Sequence, residues 1–382
     1  MKKVALSSLS LALLAAAGAA HAQSSVTLYG VLDDSIQYVH NANAQNKDLW
    51  ALAGGNLQGN RWGMKGTEDL GGGLKAIFQL ENGFNPNNGA MGSYNGSSKL
   101  FGRQAYVGLT SDQFGTVTIG RQYDPLVDLV QPITADNYWG STFTTPGDVD
   151  NNDNSSRTNN SFKFTSAVYS GFQFEGFYGF GGVAGATGSG QTWSGAATYA
   201  TGPFSVAAGY IRMDNGSTLA ARAGGWSTGA TSDANFDSTI NSAFASAKSI
   251  GIASVAAQYV VGPVTAGIRY SNSQYKADAF SSFNSTERFN VGAGFVNYQL
   301  TPAALLGLGY TFTHGSGSGP SATYNQVSLG GDYNLSKRTD VYLIGVYQKA
   351  SGTNVTASAA DYGYASDSTT QEIVSFGIRH KF

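Results

Sequence analysis

Residues 61–65 read Arg-Trp-Gly-Met-Lys, so Arg61 and Lys65 alternate with Trp62 and Met64 around Gly63. A period of two marks a β-strand, because successive side chains of a pleated chain point to opposite faces. The period returns at 74–82, where Leu74, Ala76, Phe78 and Leu80 share one face and Lys75, Gln79 and Glu81 the other. It closes the chain at 371–382, with Val374, Phe376, Ile378, His380 and Phe382 opposite Ser375, Gly377, Arg379 and Lys381. The first eight predicted strands lie near 25–39, 57–69, 74–84, 99–111, 115–122, 158–169, 172–181 and 191–200. Eight more lie near 203–213, 246–260, 263–275, 286–300, 303–314, 322–335, 339–350 and 371–382, sixteen in all.

The connections alternate in length. Short ones at 68–73, 111–114, 170–171, 201–203, 261–263 and 301–302 take turns with long polar ones such as 123–157, 214–245 and 351–370. Outer-membrane barrels have short periplasmic turns and longer extracellular loops. Pro203, Pro263 and Pro302 fall in short turns, where a fixed φ helps and no ladder donor is lost. Tyr199, Phe204, Tyr210, Tyr259, Tyr270, Tyr298 and Tyr310 lie on the apolar face near strand ends, where interfacial aromatic girdles belong.

Alternation alone leaves open which face is inside. In a soluble sandwich Trp62 and Met64 would be core; in a barrel closed in lipid they face the membrane, while Arg61 and Lys65 line water. Composition decides. Charged residues are 12% of the chain, about half the ~25% of soluble domains, whereas Gly reaches 51 and Tyr and Phe 21 each. No stretch after residue 22 approaches the ~20 apolar residues of a spanning helix. The first 22 residues combine a basic start, the run LALLAAAGAA and Ala20-His21-Ala22, the pattern of a secretory signal peptide cut before Gln23. The predicted organisation is therefore a signal peptide over 1–22 and one domain over 23–382. That domain is all-β, a transmembrane antiparallel β-barrel of sixteen strands whose lumen is too wide for side chains to fill, leaving an aqueous channel.

Charge and chemistry exclude more than they add. Loss of Lys2 and Lys3 leaves 20 basic residues against 24 acidic ones, with no nucleic-acid footprint. There are no cysteines, and His40, His314 and His380 are far apart, so neither cofactor nor metal is expected. Gly225–Gly229 matches G-x-S-x-G but lies in a long polar loop instead of a strand-turn-helix elbow. Asp148, Asp150 and Asn152 open like a calcium loop, but Asp153 stands where Gly is needed and Asn159 where Glu is needed.

Several segments carry a family resemblance: SSVTLYGVLD at 24–33, NRWGMKGTEDLGGGLKAIFQLENGF at 60–84 and FGRQAYVGLTSDQFGTVTIGRQYDP at 101–125. RTNNSFKFTS at 157–166, YNLSKRTDVY at 333–342 and VSFGIRHKF at 374–382 complete the set. Together they resemble the Gram-negative general-diffusion porins of the β-proteobacterial type. The resemblance implies a homotrimer in the outer membrane, with a third loop, here about 123–156, folded into the pore to face an arginine cluster on the wall. It carries that cluster to Arg61 through RWGMKG, to Arg103 through GRQAYVGL and to Arg157 through RTNNS; Lys65 shares a face with Arg61. Asp124, Asp128 and Asp136 are the loop acids expected at the constriction, and which of them reach it stays open. Tyr138 and Trp139 are the residues expected to pin the loop against the wall, and Arg121, at its entry, to tie it down. Phe382 is similar to the family's terminal signal for the barrel-assembly machinery. Lys75 and Arg379 are expected to be ordinary wet charges.

The expected function is passive diffusion of small hydrophilic solutes and ions, without a cofactor. The alternative is a substrate-selective channel for sugars or anions; the remote one is an outer-membrane barrel enzyme, for which isolated His40 and His314 offer no grouped base. Expected partners are two further copies of the chain, outer-membrane lipid and lipopolysaccharide, and the assembly machinery. Facing rows of opposite charge set up a transverse field that biases ion entry. Anions are favoured if Arg61, Lys65, Arg103 and Arg157 outnumber the aspartates that reach the lumen, and cations if Asp124, Asp128 and Asp136 all point inward. The balance leans toward weak selectivity.

Overall fold

The computed structural model describes residues 25–94 and 96–382; the signal peptide expected over 1–22 lies outside the described residues. Sixteen antiparallel staves form one closed barrel. The first eight are β1 (Ser25–His40), β2 (Leu49–Gly54 and Arg61–Gly71), β3 (Leu74–Gly83), β4 (Gln104–Ser111), β5 (Gly115–Gln122), β6 (Thr158–Thr165), β7 (Phe172–Gly179) and β8 (Thr192–Thr201). Then come β9 (Phe204–Asp214), β10 (Ser249–Val261), β11 (Val264–Lys276) and β12 (Glu287–Thr301). β13 (Ala304–Ser316), β14 (Ala322–Asn334), β15 (Thr339–Gly352) and β16 (Thr370–Lys381) complete the wall.

Each stave pairs with its sequence neighbours, and β16 closes on β1, from Val31 opposite Lys381 to His40 opposite Glu372. Phe382 extends this seam: its N–H donates to Gly30 O at 3.1 Å, and Gly30 N–H donates back at 3.0 Å. Closure leaves no sheet edge unpaired, as a lipid environment requires.

The predicted strands stand with small shifts and one omission. The second stave is broken: Leu49–Gly54 pairs with the later half of β1 and Arg61–Gly71 with its earlier half. The intervening turn is held by Asp33, whose carboxylate accepts the N–H groups of Leu57 (2.8 Å) and Gln58 (2.7 Å). The two faces follow the period of two. Val26, Trp50, Ile268 and Phe376 are among many large apolar side chains left exposed on the outer surface, a band that water would not tolerate and lipid does. Lys65 sits inside, its Nζ 5.4 Å over the Tyr29 ring, and the Tyr29 hydroxyl donates to Glu81 at 2.8 Å.

The inner face departs from a purely polar lining. Ile211, Ile250, Ile252 and Val291 point inward and are buried, because the long connection 123–157 and the outer loop after β9 cover them. The core of this barrel is therefore inside it, between the wall and an internal loop.

Candidate functional site

The internal loop begins where β5 ends. Asp124 turns its carboxylate back on the chain, accepting Leu126 N–H at 2.9 Å and the Asn151 amide at 3.0 Å. Five residues of π-helix (Leu126–Val130) follow Pro125, and their apolar side chains Leu126, Leu129 and Val130 pack on Ala207, Ile211 and Ile252 of β9 and β10. The chain then crosses the lumen through short helical turns at Asp136–Trp139 and Gly140–Phe143.

The far wall has a recess for it. Trp139 is fully buried, and its ring lies so close to Gly307 and Gly330 of β13 and β14 that a Cβ there would stand 2.3 and 2.4 Å from it. Its Nε1 donates to Asn297 Oδ1 at 2.7 Å, while the Phe143 ring stacks on it at 5.4 Å. The Tyr138 hydroxyl donates to Gln258 at 2.9 Å. Further along, Ser328 and Gln326 donate to the carbonyls of Thr142 (2.8 Å) and Thr144 (2.9 Å). Buried Arg269 on β11 pairs with Asp150 and donates to Thr145 Oγ1 at 2.6 Å. The calcium-like run is thus an ordinary turn: Asp148 caps Asp153 N–H at 2.9 Å and Asp150 belongs to Arg269.

Between this loop and the wall formed by β2, the start of β4, Leu305 of β13, Asp332 of β14 and the end of β16 lies an open cavity of about 590 Å³. Arg61, Arg103, Arg379 and Lys381 line it from the wall, and Asp128, Asp136, Tyr138 and Asp153 from the loop. Arg103 donates to Glu81 at 2.8 Å, and the hydroxyls of Tyr29 and Tyr123 converge on the same carboxylate at 2.8 Å each. Guanidinium groups and rings interleave beside it. Arg121 and Arg157 lie 5.2 Å from the Tyr94 ring, and Arg157 and Arg103 lie 5.7 and 5.6 Å from the Tyr123 ring. Aromatic faces between like charges offset part of their repulsion, each such contact being worth about 0.5–2 kcal/mol.

The expected residues fall into three groups. Arg61, Arg103, Asp128 and Asp136 meet at the cavity. Lys65 lies deeper on the Tyr29 ring, and Arg157 stands behind the first row, stacked between Tyr94 and Tyr123. Two expectations are corrected. Asp124 does not face the lumen; it is buried as the cap of the π-helix, and that burial pushes its carboxyl up to about 6. Arg121 does not tie the internal loop; it donates to Gly102 O and Asn159 at 2.7 Å each and pairs with Asp233 of another outer loop. Loop acids are also blunted. Asp128 is paired with Lys163, and burial together with the neighbouring Asp153 raises the Asp136 carboxyl well above its ordinary value.

Four participants escaped the sequence reading. Glu81 and Arg269 sit at inward positions of β3 and β11, where alternation alone marked them as lumenal but not as anchors. Arg379 and Lys381 stand on the inward face of the last strand, and closure of the barrel brings them beside Arg61. Arg379 is held by Asp340 at 3.1 Å and Asp332 at 3.9 Å, so it is no ordinary wet charge.

A family model described as Gram-negative porin matches residues 8–354. The chain belongs to the Gram-negative porin family. This porin is 31% identical to an outer membrane porin protein of Bordetella pertussis over 434 residues, covering 100% of both chains. It is 34% identical to outer membrane porin protein 32 of Delftia acidovorans over 224 residues, which are 56% of this porin and 60% of that one. In fold it resembles the anion-selective porin from Comamonas acidovorans, with a TM-score of 0.72 at 24% identity over 94% of this chain and 100% of that one. OmpT of Vibrio cholerae in its trimer form gives 0.65 at 17% identity, covering 94% and 99%. The porin is therefore an outer-membrane β-barrel channel of a Gram-negative bacterium.

Proposed function

We propose that this porin passes small hydrophilic solutes and ions by diffusion, that the loop 123–157 is its constriction, and that the gap beside it weakly favours anions. The observation that carries this reading is the imbalance of unpaired charge. Arg61 and Lys381 line the gap without an ion pair among the described residues, whereas Asp128 is matched by Lys163, Asp124 is turned away, and burial raises the carboxyls of Asp136 and Asp153, the two lining acids that also have no ion pair. A unit charge about 7 Å from the ion path contributes roughly 0.6 kcal/mol in water, and a Debye length of about 8 Å at physiological salt halves that or more. Two such charges give a preference of a few-fold at most. That is a bias, not a binding site, and it favours general diffusion over a solute-selective channel.

The same reading places the porin in a homotrimer and makes Phe382, which caps the β1–β16 seam, the residue read by the assembly machinery. The test of the constriction is the reversal potential under a salt gradient, before and after Arg61→Glu. Wild type should fall on the anion side and the variant should move toward cations. A wild-type potential on the cation side overturns the assignment of the gap.

A further inference from the structure

One buried acid on the wall takes no part in lining the gap. Glu175 lies on β7 and faces inward, opposite Thr165 on β6 and Ala196 on β8. Its Oε1 accepts the Thr165 hydroxyl at 2.7 Å. Its Oε2 is buried and accepts nothing among the described residues. Water is kept away by the apolar cluster that joins Ala196 to Leu126 of the internal loop. A buried acceptor without a donor is costly, and more so when it carries charge. A donor within reach is therefore drawn to it.

Lys163 is that donor. It stands on the inward face of β6, opposite Phe177 and two positions from Thr165, and so is a diagonal neighbour of Glu175 across the β6–β7 ladder. Diagonal neighbours on one face lie about 7–8 Å apart, within reach of a long side chain. In the structure the ammonium group is turned the other way, paired with Asp128 and donating to Tyr123 O at 3.2 Å. The other acid nearby, Asp124, is occupied by Leu126 N–H and the Asn151 amide. From β5 come only neutral groups, Thr118 opposite Lys163 and Gln122, to which the Thr118 hydroxyl donates at 2.6 Å. Lys163 thus serves two carboxylates and can match one of them: Asp128 at the rim of the gap, or Glu175 behind it.

We propose that Glu175 is a specificity-determining residue of the channel, which competes with Asp128 for Lys163 and so sets how much negative charge the constriction shows to a passing ion. With Lys163 on Asp128 the rim is neutral there, and unpaired Arg61 and Lys381 dominate the gap. With Lys163 on Glu175 the wall pair is neutral, and Asp128 stands bare beside the ion path. The exchange turns one side chain, leaves the barrel as it is and changes no net charge. Thr165 sets the balance, because its hydroxyl satisfies half of Glu175 and weakens the pull on Lys163. The proposal rests on the reading of 123–157 as the constriction.

The test is Thr165→Val, read as the reversal potential of the channel under a salt gradient. The substitution keeps the branched shape and alters no charge, but it strips Glu175 of its one donor, so Lys163 should cross to it and uncover Asp128. The anion-to-cation permeability ratio should fall about twofold, the effect of one screened charge near the ion path. Thr165→Ser, which restores a hydroxyl, should restore the ratio. In a Glu175→Gln background no charge draws Lys163 away, and in an Asp128→Asn background none is left to uncover, so Thr165→Val should shift neither. Chymotrypsin cleavage of the internal loop should stay at the wild-type rate throughout, since Lys163 changes partner while Trp139 keeps the loop in place. An unchanged ratio in Thr165→Val, a shift that survives Glu175→Gln, or a shift that comes with faster cleavage overturns the proposal. The sign of the wild-type potential tests the gap itself and the difference between variants tests Glu175, so either can fail alone.

Discussion

Replacing Trp139 by alanine should free the tip of the internal loop while leaving the barrel closed. Trp139 is completely buried, seated over Gly307 and Gly330, and bonded through Nε1 to Asn297 at 2.7 Å. Truncating a buried tryptophan costs about 3–5 kcal/mol. The strand ladders and the β1–β16 seam do not use this side chain, so the loss falls on docking of the loop. Even 3 kcal/mol shifts the docked-to-undocked ratio by more than about a hundredfold. Trp139→Phe keeps the ring but loses the bond to Asn297, worth about 1 kcal/mol or a fivefold shift. The segment 123–156 contains no Lys or Arg but does contain Leu126, Tyr138 and Phe143, so chymotrypsin is the suitable probe. Cleavage within it should accelerate at least about a hundredfold in Trp139→Ala and about fivefold in Trp139→Phe, with a noisier open channel. Trp50→Ala, whose side chain faces outward and is 71% exposed, should leave cleavage unchanged. A Trp139→Ala porin as resistant and as quiet as wild type would refute the docking account.

Three further outcomes follow from the same geometry. Gly330→Ala places a Cβ 2.4 Å from the Trp139 ring and should raise chymotrypsin cleavage in the same sense, by the roughly 1–3 kcal/mol that overpacking costs. Lys163→Ala strips Asp128 of its partner and should move the reversal potential toward cations, and Asp128→Asn toward anions; no change in either would show that Asp128 is remote from the ion path. Burial raises Asp124 from 3.8 to about 6 and raises Asp136 and Asp153 as well, so the docked loop holds protons that the free loop releases. Docking should therefore be firmest below pH 4 and weaken as pH climbs through 6 and beyond, with anion preference falling in step. Cleavage and reversal potential measured from pH 4 to 8 would contradict this if either ran the other way.

Much of the fold could be read from the chain because a period of two survives in nearly every stave, and closure then follows from the lipid. The break in β2 could not. Leu49–Gly54 is short, and its continuation to Arg61 depends on Asp33 capping Leu57 and Gln58 from a neighbouring strand. In the site, Arg61 was legible because it lies on the polar face of a strand and within a segment resembling the family, whereas Arg103, which stands just before β4, was legible only through its segment GRQAYVGL. Asp124 was misjudged because sequence records its charge and not its direction, which is set by Leu126 N–H and Asn151. Ile250 and Ile252 look like errors in a lumenal face until the loop that covers them is in place. The recess for Trp139 is made of glycines, and the absence of a side chain leaves little pattern to detect. Arg379 and Lys381 required the closed seam, which brings residues some 320 positions apart beside Arg61.

Single-channel recording in a planar bilayer tests the central claim most directly, with conductance followed against salt concentration and the reversal potential read under a gradient. The account predicts large conductance that rises with salt without saturating, and a reversal potential a few-fold in favour of anions that moves toward cations with Arg61→Glu. Conductance that saturates with one ion, a cation-favouring potential insensitive to Arg61, or a folded barrel that carries no current would contradict it.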